Sequence, residues 1–411
     1  MTALVGVLNK HAVAIAADSA VTMGNTHKVV NSANKIFTLS KYHPVAIMTY
    51  NDASFMGVPW DIIIKEYRRD LKDKSFPRLK DYMDDFVDYL HRRHFFCDED
   101  TQKFYLNISL NVFYDLCCKE ICKEKNIRID SLTSDLIEEK LNRCLSSNSK
   151  LEKCDEFKSY TLNDFLAYIG DPKKYIEKKI IQDHGLLMES FFHYFTTKLL
   201  NPFYTGLVFV GYGEEEIYPS LFSLDISMGI DNRLKYAFKD KAEITEHGSG
   251  AVIIPFAQID VTQTIIRGIN PSFQNIIYNV ISKSLRAFSK KITDIIDSKP
   301  GNEDISNAIK KLPLESNIRN ITSDIEKEMK KSYTDPLLST VINLDKEDMA
   351  NMAESFISLT SLVRRMQPGE ETVGGPVDVA VISKGDGFIW IRRKHYFDSS
   401  LNTHFFNNYF R

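Results

Sequence analysis

The sequence lacks the long apolar runs of membrane proteins. No run reaches the roughly 18 residues of a spanning helix, and the densest stretch, residues 186–212, is broken by charged residues such as Glu189 and Lys198. The start does not resemble a signal peptide, because Asn9 and Lys10 interrupt its first apolar residues and no charged segment precedes them. We therefore expect a cytoplasmic protein without a membrane partner.

The sequence also has no marked excess of charge of one sign. Its 52 Lys and Arg residues nearly balance its 55 Asp and Glu residues, for a formal net charge of -3. A chain of this kind carries no strong field for a polyanion, so we expect no nucleic-acid partner. Its 43% hydrophobic content allows a core of ordinary size and argues against overall disorder.

Cysteine is scarce, and metal-binding patterns are weak. All six cysteines lie between Cys97 and Cys154, and we interpret them as reduced thiols rather than as a disulfide framework. His91, His94 and Cys97 have a ligand-like spacing. On a helix, however, these three side chains would point in different directions, so no metal site is predicted.

Nucleotide-binding motifs are missing as well. Gly211-x-Gly213 follows an apolar run, but three glutamates come next instead of a helix, and they would repel a pyrophosphate. The chain has no Walker-type Gly-x-x-x-x-Gly-Lys motif. We expect no cofactor, and any use of ATP would come from a partner.

Short apolar runs separated by turn residues fill the first fifty residues, a pattern typical of β-hairpins. A helix is predicted from about Ala53, and residues 70–201 have the dense charge and helical spacing of a mainly helical segment, although 103–114 is ambiguous. Gly248-Ser249-Gly250 is predicted to open a helix that runs to about Gly268. The predicted strands are residues 3–8, 12–17, 35–39, 44–50, 206–211, 217–228, 233–244, 377–382 and 387–392, and the later predicted helices are 271–296 and 348–365.

Blocks of strands alternate with blocks of helices, which indicates the α+β class with antiparallel sheets covered by helices. The charged segment 299–347 is predicted to be loop and helix. The aromatic segment 394–411 is predicted to be a tail that packs on its own domain, with docking to a partner as the alternative.

Thr2 is the first residue with a chemical role to consider. If Met1 is removed, the hydroxyl of Thr2 lies beside its own α-amino group, whose pKa of about 7.7–8 suits a general base. Met1 precedes a small residue, the situation in which the initiator methionine is usually trimmed. Many proteins have threonine at this position for no catalytic reason, so Thr2 alone is a weak signal.

The residues around Thr2 carry a family resemblance. The start Thr2-Ala-Leu-Val-Gly-Val, the run Ala12-Val-Ala-Ile-Ala-Ala-Asp18-Ser19, the run Thr22-Met23-Gly24-Asn25-Thr26 and Asn34-Lys35-Ile36 resemble proteasome β subunits. The pattern is nearest to the bacterial two-component proteasome-like peptidase and its relatives. The match covers roughly 170 residues in three blocks, a length consistent with one domain.

The resemblance implies an N-terminal-nucleophile (Ntn) hydrolase with an αββα sandwich of two antiparallel sheets and a large helical insertion. Thr2 would be the nucleophile, Lys35 would lower the pKa of its hydroxyl and α-amine, and Asp18 would hold Lys35. The implied segments are 1–69, 202–298 and 348–393 as the core, 70–201 as the helical insertion, 299–347 as a charged insertion and 394–411 as the tail.

Further site residues follow from the same resemblance. Ser249 corresponds to a serine near the nucleophile, and Glu371 replaces a supporting aspartate, with Gly374 in place of a serine. A backbone N–H of Tyr50 or Asn51 would form the oxyanion hole, and the side chain there would lie where substrate binds. Thr22 and Met23 complete the predicted site on its substrate side.

Two functions remain open at this point. The first is a threonine-type amide-bond hydrolase, with polypeptide or a small amide as its substrate. The second is an inactive proteasome-like scaffold or binding protein that acts through its helical insertion. The family forms rings and often works with an ATP-driven unfoldase, so a homo-oligomer and a separate unfoldase are the partners that the resemblance allows.

Overall fold

In the computed structural model the chain divides into two compact units. The first unit contains Met1–Ala33, Ile244–Val381 and Trp390–Arg411, and the second contains Asn34–Glu243 and Ile382–Ile389. The six segments predicted from the sequence stay predictions. The structure describes residues 2–23, 28–176, 179–198, 203–298, 305, 307, 313–367, 373–395, 397–398 and 400–404.

The first sheet is formed mostly by the first unit. Its central strands are short apolar runs that are buried along their whole length, as expected for strands covered on both faces. The strand order is β12-β1-β2-β13-β14. The bounds are β1 Ala3–Asn9, β2 Val13–Ala17, β12 Ala251–Ala257, β13 Asp378–Ser383 and β14 Gly387–Arg392.

The helices of the first unit pack on this sheet and on one another. The apolar face of α12, Lys346–Met366, covers β1 and β2. This helix begins where the Asp345 side chain accepts a hydrogen bond from the Asp348 N–H, an N-cap. The helices are α8 Asp260–Arg267, α9 Pro271–Asp297, α10 Leu314–Met329, α11 Asp335–Val341 and α12 Lys346–Met366, with a π-helical turn at Lys330–Thr334.

The second sheet belongs to the second unit and is antiparallel throughout, in the order β11-β10-β9-β6-β5. Ile47, Phe209 and Leu224 point from one face into a large aromatic core, which the helices of this unit complete. The bounds are β5 Ile36–Thr38, β6 Val45–Asn51, β9 Thr205–Gly211, β10 Ser220–Ile230 and β11 Arg233–Glu243.

Helices fill most of the chain between β6 and β9. They are α1 Trp60–Leu71, α2 Leu79–Arg92, α3 Glu99–Lys125, α4 Ser134–Asn148, α5 Leu162–Ile169, α6 Lys173–Ile176 and α7 His184–Thr196, with 3-10 turns at His94–Phe96, Ile129–Ser131 and Asp155–Phe157. The ambiguous residues 103–114 lie inside α3. Whether 70–201 is an insertion into a family core stays a prediction.

Two predicted helix starts are wrong. The helix predicted from Ala53 begins at Trp60, because a small hairpin of β7 Ser54–Phe55 and β8 Val58–Pro59 precedes it and turns at Gly57, whose φ is 88°. Gly248-Ser249-Gly250 opens the strand β12, not a helix. The run Val252-Ile253-Ile254 is β-branched, and it pairs with Leu8, Val7 and Gly6 of β1.

The described chain is therefore α+β, with two five-stranded antiparallel sheets and two small hairpins. The second small hairpin joins β3 Val21–Met23 to β4 Lys28–Val30. Among the described residues, no helix is both long enough and apolar enough to cross a bilayer.

Candidate active site at the start of the chain

Thr2 directly precedes β1 and is buried, with 4% of its surface exposed. Its carbonyl oxygen accepts a hydrogen bond from the Gln258 N–H at 3.1 Å. Because β12 runs antiparallel to β1 and pairs Ala257 with Ala3, this bond extends the ladder by one step beyond the strands. The backbone of Thr2 is thus held on the side of β12.

Asp18 holds the chain on the other side. Its Oδ1 atom accepts a hydrogen bond from the N–H of Ala3 at 2.9 Å, and its Oδ2 atom accepts from the N–H groups of Ala20 at 3.1 Å and Gly374 at 3.2 Å. The side chain is 1% exposed. A buried carboxylate needs such donors, and these three fix it beside the residue that follows Thr2.

The hairpin of β1 and β2 explains this arrangement. The Asn9 side chain accepts hydrogen bonds from the N–H groups of His11 and Ala12, so it closes a tight turn between the strands. The register then pairs Leu4 with Ala17. Asp18 therefore comes opposite the start of β1 wherever this turn forms.

Gly374 and Gly375 bring a distant segment to the same place. The Gly374 carbonyl accepts a hydrogen bond from the Ser19 N–H at 3.0 Å, and the Ser19 hydroxyl donates to the Pro376 carbonyl at 2.5 Å. Gly375 has a φ of 74°, and a Cβ atom there would lie 2.9 Å from Cβ of Asn31. A side chain at 375 would disturb the segment that supplies a donor to Asp18.

The sequence did not reveal a polar cluster at this end of β12. The Arg364 guanidinium, in the last turn of α12, donates to the side-chain oxygens of Gln258 and Asp260. Gln258 also supplies the N–H that binds the Thr2 carbonyl. Arg364 ends an amphipathic helix, where a basic residue is common, so its sequence context gave no functional signal.

Ser249 does not lie near Thr2. In the register of β1 with β12, Ala251 pairs with Asn9 and Ala257 pairs with Ala3. Ser249 therefore lies beyond the far end of β1, about 20 Å or more along the strand from Thr2. The prediction that Ser249 assists the nucleophile is wrong, because the glycine-rich segment opens a strand that leads toward Thr2 instead of a helix that starts beside it.

Three other predicted site residues are only partly described or not described. Glu371 lies outside the described residues. Thr22 and Met23 belong to β3, where they pair with Val29 and Lys28. Their part in substrate binding stays a prediction.

Lys35 falls in the second unit. It is 3% exposed, and its carbonyl oxygen accepts a hydrogen bond from the Thr49 N–H at 2.9 Å, one step beyond the pairing of Ile36 with Met48. Lys35 is thus a buried lysine at the start of β5, and its role toward Thr2 stays a prediction.

The hydrogen bonds between β5 and β6 show that the two predicted oxyanion donors, the N–H groups of Tyr50 and Asn51, point to opposite sides of β6. Backbone N–H groups of an antiparallel strand alternate in direction, and that of Thr49 faces β5. The N–H of Tyr50 therefore faces β9, where Tyr50 pairs with Gly206, while that of Asn51 faces the β5 side. Asn51, with a φ of 72°, is the better candidate of the two for an oxyanion donor.

The Tyr50 side chain has partners within its own sheet. Its hydroxyl donates to Oδ1 of Asp225 at 2.7 Å and accepts from Nζ of Lys239 at 3.1 Å. Burial, followed by the charge of Asp225, raises the pKa of Tyr50, and burial raises the pKa of the Asp225 carboxyl. Tyr50 of β6 is therefore a neutral phenol whose ring lies over β9 and whose hydroxyl is hydrogen-bonded to Asp225 of β10.

His91, part of the discounted metal pattern, has a different partner. Its Nε2 atom lies 2.9 Å from Oε1 of Glu156, and this hydrogen bond raises the pKa of His91. Glu156 also accepts from the Leu234 N–H at 2.6 Å. Within the described part of the chain, no cluster of three or more His, Cys, Asp or Glu side chains could hold a metal ion.

Comparison with known proteins gives little further information. No protein-family model matches the chain, and no curated protein matches it. A solved structure described as an Anbu (Gly-1) mutant from Hyphomicrobium sp. strain MC1 aligns over 100% of this chain and 91% of its own, with 8% identity and a TM-score of 0.35. Values this low establish neither a shared fold nor a shared activity.

Proposed function

We propose that the protein is a threonine-type N-terminal-nucleophile hydrolase of amide bonds, a proteasome-like peptidase whose nucleophile is Thr2 after removal of Met1. One observation carries the proposal. Thr2 is buried at the start of a central strand, and the Asp18 carboxylate holds the next amide group in place.

The proposed reaction uses the two functional groups of the first residue. Oγ of Thr2 attacks the substrate carbonyl while its α-amine takes the hydroxyl proton, which then passes to the leaving amine. Water hydrolyses the ester that remains and frees the acid product. The Gln258 N–H and the Asp18 carboxylate hold the peptide group between Thr2 and Ala3, directly after the nucleophile.

Two further parts of the mechanism rest on the sequence resemblance. Lys35 would lower the pKa of the Thr2 hydroxyl and α-amine, and the Asn51 N–H would stabilise the oxyanion. The proposed substrate is polypeptide, with a small amide as the second choice. A homo-oligomer and a separate ATP-dependent unfoldase remain part of this proposal.

The test combines the N-terminus with a covalent label. Intact mass should show a chain that starts at Thr2, and a threonine-directed epoxyketone should add one label to that residue. Thr2→Ala should abolish both labelling and peptide hydrolysis, because it removes the nucleophile. Thr340→Ala, which changes an exposed threonine on α11, should retain both and serves as the matched control.

The second candidate is an inactive scaffold. Gly374 favours it, because a glycine occupies the place of a supporting serine and offers only its backbone to Asp18. A natively produced chain that keeps Met1, or one that starts at Thr2 but takes no label and cleaves no peptide, would reject the hydrolase and favour the scaffold.

A further inference from the structure

Two cysteine thiols on neighbouring helices of the second unit lie in contact. Cys117 of α3 and Cys144 of α4 have their Sγ atoms 4.0 Å apart, although 27 positions separate them in the chain. Cys117 is 3% exposed, whereas Cys144 is partly exposed. The pair therefore consists of one thiol that solvent can reach and a second thiol directly behind it.

Charged side chains on both helices surround the pair. Lys140 precedes Cys144 by one turn of α4 and binds Glu120 at 2.6 Å and Glu124 at 2.9 Å, both on α3. Arg143 adds a second cation and binds Glu124 at 3.0 Å. Lys140 and Arg143 favour a thiolate at Cys144, and Glu120 opposes it.

The two thiols differ in acidity as a result. The hydrogen bond from Cys117, together with Lys140 and Arg143, lowers the pKa of Cys144, and the same contact with burial raises the pKa of Cys117. Other cysteines show the opposite trend. Burial raises the pKa of Cys97 to about 11, and it also raises the pKa values of Cys118 and Cys154.

We propose that Cys117 and Cys144 form a redox-active dithiol, a modification site at which a peroxide converts the two thiols to a disulfide between α3 and α4. The Cys144 thiolate attacks hydrogen peroxide, which yields a sulfenic acid and hydroxide. The Cys117 thiol then attacks the Cys144 sulfur, and its proton leaves with the displaced hydroxyl group as water, so that one disulfide forms. The hydroxide of the first step takes up the proton that Cys144 lost on ionisation, so two thiols and one hydrogen peroxide give one disulfide and two waters.

The geometry requires only a local change. A disulfide has an S–S distance of about 2.04 Å, so the two sulfurs, now 4.0 Å apart, must approach by roughly 2 Å. The new bond would link α3 to α4 across the turn at Ile129–Ser131. It would stabilise this helical pair by restricting the unfolded chain.

The experiment measures thiols in the native, full-length protein. The chain has six free cysteines. After brief treatment with hydrogen peroxide, alkylation in denaturant should find four, six minus the two that are joined. Peptide mapping should find Cys117 cross-linked to Cys144, and dithiothreitol should restore all six.

Variants separate the proposed pair from general oxidation. Cys144→Ser should prevent the cross-link and slow thiol loss at least tenfold. Cys118→Ser changes a neighbouring buried cysteine on α3 and should leave the cross-link intact. In Cys117→Ser the sulfenic acid has no resolving thiol, so a dimedone probe should label Cys144.

Three results would overturn the proposal: six alkylatable thiols after treatment, a cross-link between other cysteines, or equal loss at all positions. Dimedone labelling provides a second measurement if one variant folds poorly. Because the site does not involve Thr2, these results are independent of the proposed peptidase activity.

Discussion

At the scale of single residues, Lys235 is a buried lysine whose charge costs the folded structure stability. It lies on β11 with no exposed surface, and its Nζ atom has no hydrogen-bond partner among the described residues. Nζ lies 4.8 Å from the ring centre of Phe195 and 5.7 Å from that of Tyr194. Burial lowers the pKa of Lys235 to about 8, against a small opposing effect of Cys154.

This lowered pKa costs stability at neutral pH. The unfolded chain holds the lysine proton up to a pH of about 10.4, so it binds more protons than the folded chain between about pH 8 and 10.4. The free energy of unfolding therefore rises with pH in that window. Below pH 8 the full penalty applies, about 3 kcal/mol for a shift of this size.

Lys235→Met should consequently stabilise the protein. Methionine fills a similar volume without a charge, so we expect the free energy of unfolding at pH 7 to rise by about 2–3 kcal/mol. The gain over the wild type should shrink between pH 8 and 10. Urea unfolding at several pH values measures this, with Lys241→Met, an exposed lysine of the same strand, as the control that should change little at any pH.

The candidate site could be predicted from sequence only where a local pattern fixed the position. The position of Asp18 was predictable, because it follows an apolar strand whose hairpin returns it to the start of β1, while its role in holding Lys35 stays a prediction. Its donors Ala20 and Gly374 are backbone groups, which leave no signature in residue type. Arg364 reaches Gln258 from 106 positions away, and nothing local indicates such a contact.

At the scale of elements, the pairing of β6 with β9 leaves room for the Tyr50 ring only because position 206 is a glycine. Tyr50 pairs with Gly206 across the two strands, and a Cβ atom at Gly206 would lie 1.9 Å from Cζ of Tyr50. The ring therefore occupies the space that a side chain at position 206 would need. That placement allows the Tyr50 hydroxyl to reach Asp225.

Gly206→Ala should destabilise the second unit by about 2–3 kcal/mol, because the ring must move and Asp225 loses its hydrogen bond. Gly385→Ala is the matched control, since a Cβ atom there meets nothing within 4 Å. It should change stability by less than about 0.5 kcal/mol. Urea unfolding measures both.

A double-mutant cycle gives the decisive comparison. If the clash with Tyr50 causes the loss, Tyr50→Ala combined with Gly206→Ala should lose clearly less than the sum of the two single changes. Additive losses would mean that the glycine is required for another reason.

Element types were easiest to predict where one periodicity dominated. The alternating and apolar runs of β1, β2, β6 and β9, and the amphipathic helix α12, agree with the structure. Residues 103–114 were ambiguous because the polar Ser109 lies on the buried face of α3 while Phe104 is exposed, so the sequence shows no clean apolar stripe. The helix predicted after Gly248–Gly250 was wrong because a glycine-rich turn can precede either a strand or a helix. The β-branched residues that follow it favour the strand.

At the scale of the whole molecule, the division into two units was not predictable from the sequence. The first unit combines residues 1–33 with residues from 244 onward, which are joined by contacts over long sequence distances such as the pairing of β1 with β12. The α+β class was predictable, because it depends on the order of elements. The units depend on long-range pairings that leave no local pattern.

Each unit has its own apolar core and its own tryptophan. The core of the second unit contains large aromatic side chains, including Trp60, which is 1% exposed. The core of the first unit is smaller and built mainly from alanine and valine. Trp390 belongs to the first unit, where the Arg393 guanidinium lies 4.9 Å from its ring centre.

These differences predict that the units unfold separately, the first at lower denaturant concentration. The first unit has the smaller core, and its 27-residue helix α9 has Gln274 as its one fully buried residue, so less apolar surface stabilises it. Trp60→Phe leaves Trp390 as the only fluorescent indole, and Trp390→Phe leaves Trp60. We expect the Trp390 signal to change at lower urea than the Trp60 signal, with circular dichroism showing both steps. Coincident transitions in all three measurements would instead mean that the chain unfolds as one cooperative body, in which case Lys235→Met should shift both tryptophan signals equally instead of the Trp60 signal alone.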